Sequence, residues 1–232
     1  MIVRWLIALV LVGGGFFGLY ELVERPQSQA FGPTLTHGHG HMVALTFDDG
    51  PNAAVTPGLL DVLEREKVPA TFFVVGRAAR AHPAILRRML ADGDEIGNHT
   101  DTHVHMNALF STQRLDGEID RAEAAIVAAT GVRPHYLRPP FGARNYRALE
   151  RARSAGYTVV MWSNMLDDES PDGAQWLVAH VEDGAIVVLH DGDQGRDGHG
   201  GRTYEAGYAR EVIATLRARG YRFVTISQLQ RT

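Results

Sequence analysis

An α/β barrel is the fold class this sequence predicts, and three observations predict it. Apolar strand-like runs alternate with helical patterns seven times from Met42 onward. The runs are almost continuously apolar, as in parallel strands covered by helices. No glycine-rich nucleotide fingerprint follows any of them, so a closed or nearly closed barrel fits better than an open nucleotide-binding sheet.

The first strand is MVALTF, residues 42–47. Thr56 is placed to cap the helix after it, with Pro57 at the first helical position and Leu59, Leu60 and Leu63 along one side. ATFFVV (70–75) is the second strand, and His82-Pro83 opens a helix that runs to Ala91 and stops at Asp92-Gly93. DEIGNH (94–99) is a short third strand. Residues 112–130 carry Leu115, Ile119, Ala122 and Ile126 at spacings of three and four, the pattern of an amphipathic helix. HYLR (135–138) is the fourth strand, followed by a helix over 145–154, and TVVMW (158–162) is the fifth. AIVVLH (185–190) is the sixth, and a helix over 204–218 leads to the seventh, YRFVTI (221–226).

The front of the chain has a different character. Arg4 precedes WLIALVLVGGGFFGLY, sixteen residues without a charge, and Glu21, Glu24 and Arg25 end the run. An apolar stretch of about 20 residues has the length of a bilayer span. With the positive start, it predicts an apolar helix over 1–20 that serves as signal anchor or signal peptide. The small-residue site Ser28-Gln29-Ala30 lies beyond three charges, which favours the uncleaved anchor over a cleaved signal. Either reading carries the remainder out of the cytoplasm, to the outer side of the cell membrane if anchored, or to a secreted or periplasmic location if cleaved. Residues 21–41 read as a linker, with Pro26, Pro33 and THGHGH, and His37, His39 and His41 as at most a loose metal site. The domain proper then spans 42–232.

A formal net charge of −4 without a concentrated basic surface gives no sign of nucleic-acid binding. The chain has no cysteine, which excludes disulfides and leaves His, Asp and Glu as metal ligands. A monomer is expected.

In barrels of this class the site lies at the C-terminal ends of the strands. Asp48 and Asp49 follow the first strand, and His99 and His103 follow the third. Arg138 ends the fourth, Trp162 the fifth and His190 the sixth. In HTDTH the two histidines are spaced i, i+4, which on a helical turn lets both rings grip one ion. Asp49 or Asp48 supplies a third ligand, and two histidines with one carboxylate leave positions open for water and substrate. His105 is a competing ligand.

The motifs TFDDGP (46–51), HTDTH (99–103), RPPFG (138–142) and VVLH (187–190) occur in the order found in the polysaccharide deacetylase family, the NodB-like carbohydrate esterases. The resemblance covers roughly residues 42–228. It implies a distorted (β/α)7 barrel of the NodB-homology type and substrates that are N-acetylated glycans: chitin-like oligomers, peptidoglycan or exopolysaccharide. It also implies roles: Asp48 as general base, Asp49 with His99 and His103 as ligands of one divalent metal, and Arg138 as the residue that orients the base. The metal implied is zinc first, with cobalt, nickel or manganese as alternatives. The backbone N–H of Phe141 matches the oxyanion donor, and His190 matches the general acid for the leaving amine. Pro140, Trp162 and Leu189 are candidates for substrate contact, Leu189 shaping the pocket for the acetyl methyl.

One segment departs from the family pattern. Relatives often carry Asp-x-x-Asp-Trp after the fifth strand, where an Asp tunes the catalytic histidine. Here WSNMLDDES (162–170) puts Met165 and Asp168 at the two Asp positions and Glu169 at the Trp. Asp167 or Asp168 is the candidate for tuning His190. The alternatives to N-deacetylation are a glycan-binding module without activity on the same fold, and a deacylase or amidase acting on a non-sugar.

Overall fold

The computed structural model describes residues 25–106, 112–166, 172–196 and 205–231. The apolar stretch 1–20, Asp167, Asp168 and Glu169 lie outside the described residues. Among the described residues no helix is long and apolar enough to cross a membrane.

The elements in chain order are β1 (Met42–Asp48), α1 (Thr56–Glu66), β2 (Thr71–Val74), α2 (Gly76–Ala81), α3 (Pro83–Ala91), β3 (Glu95–Asn98), α4 (Thr112–Thr130) and β4 (Tyr136–Leu137). A 3₁₀ turn (Pro140–Gly142) then leads to α5 (Tyr146–Ser154), β5 (Thr158–Val159), β6 (Asn164–Met165), α6 (Gly173–Ala179), β7 (Ala185–His190), α7 (Glu205–Ala218), β8 (Arg222–Phe223) and α8 (Ile226–Gln230). All strand pairs are parallel, in the order β5-β4-β3-β2-β1-β7-β6, with β8 paired to the start of β1. The sheet curls into an incomplete barrel with helices outside, the distorted (β/α)7 architecture that the sequence predicts.

Side-chain alternation along the central strands separates two environments. Val43, Leu45 and Phe47 of β1 and Val187 and Leu189 of β7 point outward into the main core beneath the helices. Met42, Ala44 and Ile186 point inward, where Phe73, Tyr136, Val160 and, from α8, Ile226 and Leu229 fill the base of the barrel. Continuing the inward alternation brings Thr46 and Asp48 on β1, and Val188 and His190 on β7, to the top of the interior. That face is where the sequence places the chemistry.

Residues 25–41 are built onto the barrel over their described length, where the sequence reads as a linker. Leu35 bonds to both sides of residue 160: its N–H donates to Val159 O (2.9 Å), and Met161 N–H donates to Leu35 O (2.7 Å). Three residues on, Gly38 N–H reaches Gly184 O (2.7 Å). The segment therefore bridges β5 to the foot of β7.

Thr56 does not cap α1. Its hydroxyl donates to Asp191 Oδ2 (2.7 Å) and accepts from Asn52 N–H (2.8 Å), tying the loop after β1 to the loop after β7.

Asp94, in the turn before β3, accepts from Ala70 N–H (2.9 Å) and so joins the start of β2 to that of β3. Burial pushes its carboxyl up to about 7. The neutral form thus contributes stability that is complete below the unfolded value near 3.9 and is lost as pH rises through about 7. Each tenfold change in proton affinity corresponds to about 1.4 kcal/mol, so the contribution is on the order of a few kcal/mol. Asp94→Asn keeps an acceptor for Ala70, so its urea midpoint should fall less between pH 5 and pH 8 than the parent's. Equal falls in both proteins would contradict this.

Candidate active site

Asp48 is the last residue of β1 and faces the interior, whereas Asp49 is the first residue off the strand. Adjacent residues of a regular strand point to opposite faces. The left-handed conformation of Asp49 (φ 77°) breaks that alternation, so both carboxylates line the same cleft. The cleft holds about 310 Å³ and is also lined by His99, His103, Phe141, Trp162, Met165, Val188, His190 and Gln194.

Asp49 Oδ1 lies 2.9 Å from His103 Nε2 and 3.4 Å from His99 Nε2. All three residues are buried, and their donor atoms fall within 4.8 Å of one another, the one such group among the described residues. Ligands about 2.0–2.1 Å from a tetrahedral ion stand roughly 3.3 Å apart, so this set fits a divalent metal. His105 is not part of it and stacks instead on the Phe141 ring (5.7 Å).

The two histidines do not sit on a helical turn. They lie on a loop after β3 in which Thr100 (φ 66°) and His103 (φ 56°) are left-handed, and these reversals converge the rings. The loop is held from below. Glu118 on α4 accepts from the N–H groups of Asp101 (3.1 Å) and Thr102 (2.8 Å), and Asn98 accepts from Thr100 N–H (2.8 Å). Arg80 and Arg121 pair with Asp101.

Arg138 is fully buried and lies under Asp48. Its Nη1 donates to Asp48 Oδ1 (2.7 Å) and to Thr46 Oγ1 (2.8 Å), and its Nη2 donates to Met161 O (3.1 Å). The guanidinium stacks 4.1 Å from the Phe73 ring. Burial pushes its pKa down, opposed by the Asp48 charge. The Arg138 carbonyl accepts from His99 Nδ1 (2.7 Å), which leaves His99 Nε2 toward the ligand group.

Burial alone would raise the Asp49 carboxyl, but the hydrogen bonds and charge of His103 and His99 hold it far below the usual carboxylate range. Burial lowers His99, and the charges of Asp48 and Asp49 more than offset that, so its pKa rises. A metal ion held by this group would have to displace any proton on His99 Nε2.

His190 ends β7 beside Asp48, in register with it across the two strands. Leu189 does not shape the cleft. It points outward into the main core, and strand alternation puts Val188 on the cleft wall beside His190. Pro140 opens the 3₁₀ turn and is buried without lining the cleft, while Trp162 lines it as expected. Within that turn Gly142 N–H and Ala143 N–H close its hydrogen bonds, leaving the Phe141 N–H outside the turn's own bonding. Counting back by two from His190 and from Asp48 finds Val188 and Thr46, which the motifs alone do not single out. Met165, which stands at an Asp position of the family pattern, lines the cleft, as does Gln194 from the loop after β7. His37, His39 and His41 form no metal group among the described residues, and His41 bonds Asp183 (2.6 Å) and Arg219 O (3.0 Å).

The polysaccharide deacetylase family model matches residues 36–160, which hold the carboxylate pair, both histidines and Arg138. The chain belongs to the polysaccharide deacetylase family. Peptidoglycan-N-acetylglucosamine deacetylase PgdA of Listeria monocytogenes is 35% identical over 191 residues, covering 81% of this chain and 38% of that protein. The chain thus spans well under half the length of that relative. A chitooligosaccharide deacetylase of a Bradyrhizobium species is 39% identical over 154 residues, 65% of this chain and 70% of the relative. Among solved structures, the Bc1960 peptidoglycan N-acetylglucosamine deacetylase superposes with a TM-score of 0.77 at 28% identity, covering 86% of this chain and 93% of that one.

Proposed function

We propose that this polysaccharide deacetylase-family protein removes N-acetyl groups from N-acetylglucosamine units of a glycan. The observation that carries the reading is one cleft holding an Asp-His-His ligand group, a second carboxylate gripped by a buried arginine, and a histidine on the neighbouring strand. The relatives' names, for peptidoglycan and chitooligosaccharide, support this glycan class.

Asp49, His99 and His103 would hold the ion, zinc being the best match to two imidazoles and a carboxylate. When bound, it supplies Lewis-acid polarisation of the acetamide carbonyl and acidification of a water. Asp48, oriented by Arg138, takes a proton from the attacking water. The water oxygen bonds to the carbonyl carbon, and the Phe141 N–H donates to the oxygen that gains charge. His190 delivers a proton to the nitrogen as the C–N bond breaks, so acetate and a free amine leave. Val188 and Trp162 line the space for the acetyl group and the sugar.

The test is acetate release from chitin oligomers, peptidoglycan and poly-N-acetylglucosamine in parallel, with and without chelator. Release that chelator abolishes and zinc restores is expected. Binding of these glycans without acetate release would favour a glycan-binding module instead. We also place this activity outside the cytoplasmic membrane, because a charge-free stretch of sixteen residues follows Arg4. Protease added to intact cells should then digest the domain, and its protection there would refute that location.

A further inference from the structure

Arg144 is nearly as buried as Arg138, at 1% exposure against 0%, yet no carboxylate pairs with it among the described residues. Burial pushes its guanidinium down without a neighbouring charge to oppose this. A cation so placed persists only where hydrogen bonds replace its water. Its acceptors are all main-chain carbonyls, on two segments far apart in sequence. Nη1 donates to Gly142 O (2.9 Å). Nη2 donates to Arg25 O (2.5 Å) and Ser28 O (2.8 Å), with Pro26 O at 3.4 Å.

The first of these segments carries the Phe141 N–H. Phe141 (φ 59°) and Gly142 (φ 68°) are consecutive left-handed residues. A side chain at 142 would meet the Trp162 ring at 2.8 Å, so glycine is required there. A non-glycine residue in this conformation persists only where its surroundings hold it. The turn's own bonds, Gly142 N–H to Pro139 O and Ala143 N–H to Pro140 O, hold one side (3.0 Å each). The Arg144 bond to Gly142 O holds the other. Relaxation of either residue would swing that carbonyl off the guanidinium. The second segment reaches the residues packed against this turn: Gln27 Nε2 donates to Trp162 O (3.4 Å), and Phe31 packs in the cluster that includes Met161 and Trp162.

We propose that Arg144 is a positioning residue for amide hydrolysis: it fixes the direction of the Phe141 N–H through the Gly142 carbonyl and makes residues 25–28 part of the cleft's support. The role given to the Phe141 N–H rests on the deacetylase reading.

Full-length Arg144→Lys keeps the charge but loses the planar fork. It should retain its metal and a KM within about threefold of the parent. Its kcat should fall about tenfold or more, a share of the roughly 10²–10³ that loss of an oxyanion donor costs. On a trifluoroacetamide substrate, whose tetrahedral oxyanion is stabilised by its own fluorines, the loss should shrink severalfold. A purely structural role would lower both rates alike. Added guanidinium ion should restore part of the kcat of Arg144→Ala. Amide hydrogen exchange at Gly142 and Ala143, whose N–H groups close the turn, should quicken by about tenfold in Arg144→Lys when measured without substrate. Unchanged exchange, or equal losses on both acyl groups, overturns the assignment. A parent protein that releases no acetate defeats the deacetylase reading instead, and the exchange rates then still decide whether Arg144 holds the turn.

Discussion

Asp48→Asn should lower turnover by about 10²–10⁴-fold, the range that a positioned general base contributes, while the protein keeps its metal. The reason is geometric. Asp48 Oδ1 is engaged by Arg138 at 2.7 Å, and Asp48 Oδ2 stands 4.0 Å from His99 Nε2, outside the closer contacts that join Asp49 to both histidines. An amide at 48 still accepts from Arg138 but is a very weak base. Asp49→Asn has the opposite signature, because it removes the anionic member of the ligand group. Its metal affinity should fall, and excess metal should return part of its activity. Metal analysis beside single-turnover rates separates the two. Loss of metal from Asp48→Asn with retention by Asp49→Asn would reverse the roles.

Arg138→Met should destabilise the metal-free protein by about 3–5 kcal/mol, the cost of leaving one member of a buried ion pair uncompensated. Asp48 is only 5% exposed, and Asp49 adds a second negative charge beside it. Combining Arg138→Met with Asp48→Asn removes the stranded charge, so the double variant should be more stable than Arg138→Met alone. The coupling between such neighbours is on the order of 0.5–3 kcal/mol. Chelated samples in urea read this directly, since a bound cation would partly replace the missing guanidinium. Strict additivity of the two substitutions would show that the pair is not energetically joined.

Strand ends are the most legible feature of the sequence. Continuous apolar runs mark buried parallel strands, and the polar residue that ends each run is brought to the cleft end of the barrel by topology alone. That is why Asp48, His99, Arg138 and His190 can be named from the sequence. The less legible parts depend on backbone reversals. No spacing rule anticipates the left-handed residues at Asp49, Thr100 and His103, and HTDTH therefore resembles a helical pair although it is a loop. Adjacency to His190 in the family motif favours Leu189 as the pocket residue, whereas the two-residue period of the strand favours Val188, and the strand period wins. Residues 25–41 lack apolar periodicity. Their order comes from carbonyls offered to Arg144 and from the bonds of Leu35 and Gly38, contacts that composition does not reveal. Asn164–Met165 is a strand only because β7 lends it a partner.

Residue 138 works as a caliper. Its side chain ends on the carboxylate that would accept a proton, and its own carbonyl steadies a ring that would hold the ion. Two parts of the proposed reaction, contributed by β1 and by the loop after β3, would thus be gauged from a single residue on a third strand end. A displacement of that residue would carry both jaws together. The separation between base and ligand is thus referred to one residue, in addition to the bonds that hold the loop after β3 in place.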